Sequence, residues 1–180
     1  MVRRWILTAL GKDRPGIVAR VTKILYDAGC NLEDSAMTRL GGEFAIMLVF
    51  SAKKSLPRER LERACRPLAQ SLKLAVHLKA LTRAEQAARR MGPSYRITVY
   101  GADRPGIVWR VSNLLAGRGV NITDVSTHRT SRHGTPLYLM LLEVELPRRL
   151  AVTMLERRLR QLAKRLGVEV GLRSSDADIL

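Results

Sequence analysis

The 180-residue sequence is poor in cysteine and aromatic residues, and it has no long apolar run. Its two cysteines, Cys30 and Cys65, are too few for a disulfide framework or a zinc site, so we interpret both as buried thiols of a cytoplasmic protein. Aromatic residues make up only 4% of the chain, so aliphatic side chains must build the core. No run approaches the roughly 20 apolar residues that span a bilayer, and residues 1–10 resemble a first strand rather than a signal peptide. We therefore expect no membrane association.

Acidic residues are also scarce relative to basic ones. The chain has 32 Lys and Arg but 16 Asp and Glu, which gives a net charge of +16. The excess is present in both halves of the chain and is not gathered in a tail, where it would indicate a nucleic-acid-binding arm. A distributed excess fits an acidic partner protein or an Arg-rich genome equally well. Direct nucleic-acid binding therefore stays open but is not favoured.

One hexapeptide, D-R-P-G-I-V, occurs twice, at residues 13–18 and 103–108. Each copy follows an apolar run and precedes a helical pattern, which predicts a tight turn from a strand into a helix. Pro is expected in the first helical turn, because its missing N–H has no acceptor there. The amides of residues 16–18 and 106–108 would then lack acceptors inside the helix and would suit a carboxylate, a phosphate or a neighbouring carbonyl.

The repeat extends well beyond the hexapeptide. Residues 11–39 align with residues 101–129 without a gap, and about half of the positions are identical, which indicates an internal duplication. The fourteen identical positions, each with its partner 90 residues later, are Gly11, Asp13, Arg14, Pro15, Gly16, Ile17, Val18, Arg20, Val21, Leu25, Gly29, Asn31, Asp34 and Arg39.

Each half of the chain has the apolar pattern of a β-α-β-β-α-β unit. Alternating apolar residues predict the strands, and 3-4 spacing predicts the helices. This order is typical of the ferredoxin-like α+β fold, a four-stranded antiparallel sheet with two helices on one face. We predict a first domain at residues 1–80, a linker at 81–93, a second domain at 94–175 and a frayed tail at 176–180.

The hexapeptide, the helix of about a dozen residues after it and the following Gly-x-Asn-Leu/Ile resemble the amino-acid-binding ACT domain family. The resemblance implies two ACT domains, with ligands held at interfaces between domains by the loop amides and by the Asn side chain. Carried onto this chain, the implied ligand-binding residues are Asp13, Arg14, Pro15, Gly16, Ile17, Val18 and Asn31 in the first copy, and Asp103, Arg104, Pro105, Gly106, Ile107, Val108 and Asn121 in the second.

The resemblance also implies a function. Two such units in a chain of this length are similar to regulators of glycine cleavage within the family. We therefore expect a homodimeric, non-enzymatic regulator that binds a small amino acid and acts on transcription through a partner protein. Glycine is the leading candidate for the amino acid. The alternatives are a nucleic-acid-binding module that uses the basic surface, and the regulatory subunit of a biosynthetic enzyme.

Simpler roles exist for the same residues. The Pro and Gly of the hexapeptide could shape the turn without contacting a ligand, while the Asp caps the helix. The two Asn side chains could bond their own backbone, and we expect Asp34 and Asp124 to pair with arginines. No catalytic constellation is evident, and the three histidines, His77, His128 and His133, lack metal-ligand spacing, so we predict no catalytic residue, metal or cofactor.

Overall fold

The computed structural model describes residues 2–82, 85, 92–132 and 135–175. The chain divides into two compact units, residues 1–88 and 89–180, and each is described by itself. Most of the predicted linker, at positions 83–84 and 86–91, and the predicted frayed tail at 176–180 lie outside the described residues. Within the linker, Thr82 and Glu85 exchange hydrogen bonds in the pattern of a capping box, which is a helix-start motif.

The first unit alternates strands and helices in the predicted order. The elements are β1 (Val2–Lys12), α1 (Ile17–Asp27), β2 (Asn31–Leu40), β3 (Glu43–Lys53), α2 (Arg58–Ser71) and β4 (Ala75–Ala80). Its sheet has the strand order β2-β3-β1-β4, and every neighbouring pair is antiparallel.

One face of this sheet builds the core with the two helices. Alternate residues of β3 are buried from Phe44 to Phe50, as expected for a strand with one face covered. Helix α1 buries Ile17, Val21 and Leu25, which stand four residues apart on one face. Trp5 of β1 lies in the same core and is 1% exposed. All ten residues of the edge strand β2 are exposed, and its outer edge has no strand partner within the unit.

The second unit repeats this arrangement. Its elements are β5 (Ser94–Ala102), α3 (Ile107–Ala116), β6 (Asn121–Arg132), β7 (Thr135–Glu145), α4 (Val152–Leu166) and β8 (Val168–Ser174). The strand order is β6-β7-β5-β8. Helix α3 buries Ile107, Val111 and Leu115, which correspond to the three buried residues of α1. The predicted fold class, two ferredoxin-like units with four-stranded antiparallel sheets, is confirmed.

The start of each first helix differs from the prediction. Helix α1 begins at Ile17, so Pro15 lies before the helix and not in its first turn. Gly16 has φ 87°, a left-handed conformation that cannot continue a right-handed helix, and it stands at the N-cap. Gly106 repeats this with φ 88°, and α3 begins at Ile107. The turn is therefore made by Pro and Gly together, one residue ahead of the helix.

Candidate functional site

The loop after β1 ends in a helix N-terminus without a side-chain cap. The carbonyl of Gly16 accepts the first helical hydrogen bond, from the amide of Arg20 at 3.0 Å, and no side chain caps α1. The amides of Ile17, Val18 and Ala19 therefore occupy the first helical positions, which have no acceptor inside the helix. The loop of the second unit has the same arrangement, with Gly106 as acceptor. These amides carry the positive end of the helix dipole.

The Asp of each hexapeptide pairs with an Arg at the far end of the following strand. Nη1 of Arg39 lies 3.4 Å from Oδ2 of Asp13, and Nε of Arg129 lies 2.8 Å from Oδ2 of Asp103. The alternative role of Asp as the helix cap is thus not observed. The backbone amide of Asp13 also donates to the carbonyl of Gly42, at 3.0 Å, which ties the loop to the β2–β3 hairpin.

An open groove lies beside the first loop, between the start of α1 and the hairpin end of the sheet. It presents one carboxylate, one guanidinium from the sheet, the start of α1 and an apolar rim. The residues that line it include Asp13, Arg14, Gly16, Ile17, Val18, Ala19, Met37, Arg39 and Phe44. Five of the predicted ligand-binding residues of the first copy therefore share one groove. Pro15 belongs to the same loop.

Asn31 is not brought to this groove. It begins β2 after the C-terminal end of α1, whereas the hexapeptide lies at the N-terminal end. An 11-residue helix is about 16 Å long, so a single small amino acid cannot reach from the loop to Asn31 within one unit. Asn121 has the same position after α3. Within one unit the loop and the Asn therefore lie at opposite ends of the helix, and a ligand that contacts both at an interface between domains stays a prediction.

The remaining candidate side chains have local roles. Asp34 accepts a hydrogen bond from the amide of Ser35 at 2.8 Å, and no described arginine pairs with Asp34 or Asp124. Oγ of Ser126 lies 2.9 Å from Nε2 of His128, while His133 lies outside the described residues. No group of three His, Cys, Asp or Glu in the described part of the chain could hold a metal ion. Among those same residues no helix is long and apolar enough to cross a membrane.

Perturbed pKa values occur away from the groove. Burial raises the pKa of the Cys65 thiol to about 11, and burial also raises the pKa of Cys30, which is half-buried rather than buried as predicted. A hydrogen bond from Arg4 lowers the pKa of Glu33, at the end of the sheet opposite the hairpin. Because their pKa values are raised, Cys30 and Cys65 carry little thiolate at neutral pH. They are therefore poor nucleophiles, since the thiolate is the reactive form.

Arg39 and Arg129 were missed as candidate site residues. They are 26 residues from their Asp partners, and a sequence pattern does not show which strand end returns to which loop. A signal was nevertheless present, because both Asp and Arg are among the fourteen positions repeated 90 residues apart. The repeat alone does not identify the pair, because Arg14, Arg20 and Asp34 are repeated as well and no described arginine pairs with Asp34.

Comparison with known proteins agrees with this architecture. The pattern of the ACT domain matches residues 3–79 and again residues 96–173. The glycine cleavage system transcriptional repressor of Escherichia coli (strain K12) is 33% identical over 121 residues, which cover 67% of this chain and 62% of the repressor. The matched part thus spans less than two thirds of that relative. A UPF0237 protein from Streptococcus mutans is 31% identical over 75 residues, which cover 42% of this chain and 85% of that protein.

Solved structures share the fold along nearly the whole chain. An unknown protein from Galdieria sulphuraria superposes with a TM-score of 0.83 at 25% identity and covers 97% of this chain and 99% of its own. A protein assigned as a glycine cleavage system transcriptional repressor superposes with a TM-score of 0.72 at 21% identity, with coverage of 96% and 97%. This second likeness shows the fold alone. With the family pattern matched twice, at the two units that carry the duplicated loop, the chain belongs to the ACT domain family.

Proposed function

We propose that the chain is a non-enzymatic regulator that binds a small amino acid in the groove beside the loop after β1, with glycine as the leading candidate. The observation that carries this proposal is the set of groups in the groove. Asp13 supplies a carboxylate, Arg39 a guanidinium, and the start of α1 supplies amides with no acceptor in the helix. A free amino acid carries one group of each sign, so its carboxylate suits the amides and Arg39, and its ammonium suits Asp13.

Sequence similarity to a known repressor supports a role in regulation. The relative from Escherichia coli is a transcriptional repressor of the glycine cleavage system. We propose that this chain likewise adjusts amino-acid metabolism, as a homodimer that acts through a partner transcription factor or enzyme. Ligand binding would regulate the partner only if the ligand binds better to one conformation than to another, and the partner distinguishes the same conformations.

Titration with the twenty amino acids tests the ligand. We expect saturable binding of glycine or another small amino acid at up to millimolar concentration, measured by calorimetry. Arg39→Gln should weaken binding about tenfold or more, because the ligand carboxylate loses a charged donor. Arg4→Gln is a matched control, since Arg4 also pairs with an acid, Glu33, but at the opposite end of the sheet. Failure of all twenty amino acids to bind would contradict the proposed ligand class.

A pull-down with and without glycine tests the partner. We expect a transcription factor or a metabolic enzyme, identified by mass spectrometry, whose capture changes with glycine. The same protein should be captured equally with and without glycine when the bait is Arg39→Gln. Capture that ignores glycine with both baits would contradict amino-acid control of the partner.

One observation favours a second candidate, binding of a nucleic-acid backbone. The exposed face of α4 carries five cations and one acid, Glu156, which pairs with Arg160. Recognition of bases on the sheet of the first unit is not supported, because Phe44 and Phe50 face the core. If helix α4 contacts phosphates, affinity for duplex DNA should fall steeply between 50 and 200 mM salt, and Arg157→Glu with Arg158→Glu should abolish it in fluorescence anisotropy. Salt-independent or absent binding would exclude this candidate.

A further inference from the structure

The outer face of the second sheet, which its helices do not cover, contains a hollow of about 500 Å³ beside the edge strand β8. A hollow of this size accommodates a small organic molecule. Its lining comes from alternate residues of β5 and β8, which point to the same side of the sheet. In the register of the two strands they form the pairs Arg96–Arg173, Thr98–Gly171 and Tyr100–Glu169.

Gly171 forms the floor of the hollow, although folding does not require a glycine there. Its φ is not positive, and a Cβ added to it would have no heavy atom within 4 Å. Glycine inside a strand weakens the strand and often marks a place where a ligand approaches closely. In the first unit Thr8, the counterpart of Thr98, stands opposite His77. The face is thus open in the second unit where the first unit carries an imidazole.

One end of the hollow is basic, because Arg96 and Arg173 stand directly opposite each other. Like charges in this position repel. Nε of Arg96 donates to Oε1 of Glu143 at 2.7 Å, whereas no acid in the described part of the chain pairs with Arg173. The first unit has Ile6 and Lys79 at these two positions, and that lysine has an acidic partner. The basic end suits a phosphate, which a guanidinium binds through two parallel hydrogen bonds.

The other end of the hollow offers an aromatic ring and a carboxylate. Tyr100, which stands where the first unit has Leu10, is 37% exposed, and Glu169 opposite it is exposed and has no cationic partner among the described residues. Four strand residues separate Glu169 from Arg173, which is about 13 Å. A nucleotide carries its phosphate and its base on two sides of a sugar, so it matches this separation better than an α-amino acid, whose two charged groups are on one carbon.

We propose that the hollow over Gly171 binds a nucleoside monophosphate whose base carries an amino group. The phosphate contacts Arg173, the base stacks on Tyr100, and Glu169 accepts a hydrogen bond from the amino group. The site is formed within the second unit alone and does not use the loop groove of the first. The duplicated chain therefore has a second class of ligand in addition to the amino acid.

Calorimetry of the full chain with AMP tests this proposal. Adenosine, which lacks the phosphate, and ribose 5-phosphate, which lacks the base, are the matched ligands. We expect saturable binding of AMP at up to millimolar concentration, and at least tenfold weaker binding of each of the other two.

Substitutions in the hollow locate the binding. Arg173→Gln should weaken AMP at least tenfold, and Tyr100→Leu, which introduces the residue of the first unit, should weaken it about tenfold. Gly171→His should abolish binding, because the imidazole fills the floor as in the first unit. Lys79→Gln is the matched control at the counterpart of Arg173 and should leave AMP affinity unchanged. All four positions are exposed, so the melting temperature should stay within a few degrees of the natural chain.

Three outcomes would overturn the proposal. The first is no binding of AMP at millimolar concentration. The second is equal affinity for AMP and ribose 5-phosphate, which assigns no role to the base. The third is AMP affinity that survives both Arg173→Gln and Gly171→His, which places the ligand elsewhere. Glycine titrated into the same samples reports on the groove of the first unit, and its binding should not change with any of these substitutions.

Discussion

The left-handed conformation of Gly16 allows a graded prediction. With φ 87°, any L side chain at this position meets its own backbone, which costs about 1–2 kcal/mol for a residue such as alanine. No external clash adds to this cost, because the space around an added Cβ is empty. Alanine also reduces the entropy of the unfolded chain, which offsets about 0.4–1 kcal/mol of this cost. We therefore expect Gly16→Ala to destabilise the first unit by roughly 1 kcal/mol.

The loss of stability should depend on how readily the substituted side chain adopts the left-handed region. Asparagine adopts this region more readily than alanine, and a β-branched residue adopts it least readily, so the loss of stability should rise from Gly16→Asn through Ala to Val. Urea denaturation measures this through the fluorescence of Trp5, which is buried in the core of the first unit, with Trp109→Phe as background. A loss of 1 kcal/mol lowers the urea midpoint by about 0.3–1 M.

The result that would refute the reasoning is equally specific. If Gly16→Ala changes stability by less than about 0.3 kcal/mol, or if Asn costs more than Ala, backbone strain does not govern this position. Gly106→Ala provides the matched substitution in the second unit, where φ is 88°. It should cost a similar amount, measured by the far-ultraviolet circular dichroism of the whole chain, since Arg110 leaves ordinary contact distance to the added methyl.

Three further predictions concern other parts of the chain. Because its pKa is raised to about 11, Cys65 should be alkylated by iodoacetamide at pH 8 at least tenfold more slowly in the folded chain than in urea, by mass spectrometry. Gly101→Ala should lower stability by about 1–3 kcal/mol in thermal melts, since its Cβ would lie 2.9 Å from the backbone of β8, whereas Gly171→Ala has open space and should change it by less than about 0.5 kcal/mol. Arg96 holds the pKa of Glu143 below its usual value, so this carboxylate stabilises the fold above its unfolded pKa and the stabilisation is lost as pH falls through the folded pKa. Glu143→Gln should therefore flatten the decline of the melting temperature between pH 5 and pH 3 and leave its value at pH 7 within a few degrees.

Most of the fold could be predicted because local patterns carry it. The four-residue spacing of Ile17, Val21 and Leu25 predicts a helix with one buried face, and the alternation in β3 predicts a strand with one buried face. The residue at which the helix begins could not be predicted from this pattern. A Pro-Gly pair is compatible with a helical start or with a turn before it, and only the positive φ of Gly16 distinguishes them.

The site was harder to predict than the fold because its parts come from distant positions. The hexapeptide indicated the loop, but Arg39 and Met37 reach the groove through the antiparallel return of β2, which no local pattern reports. Asn31 was grouped with the loop by resemblance to the family, although α1 separates them within one unit. A family pattern does not state whether its residues come from one domain or from several.

Identity between the two copies does not by itself indicate a ligand site in each. Ile17 and its counterpart Ile107 are both buried, Gly16 and Gly106 share a left-handed conformation, and the Asp of each hexapeptide pairs with an Arg of the next strand. Folding requires the buried Ile and the left-handed Gly in both copies, whatever each loop binds. Function has to be sought where folding imposes little constraint, at exposed positions beside the loop. Ala19 and Trp109 are such a pair, since both are exposed and one carries a methyl group where the other carries an indole. The informative comparison in a duplicated protein is therefore between the exposed residues that differ around an identical frame.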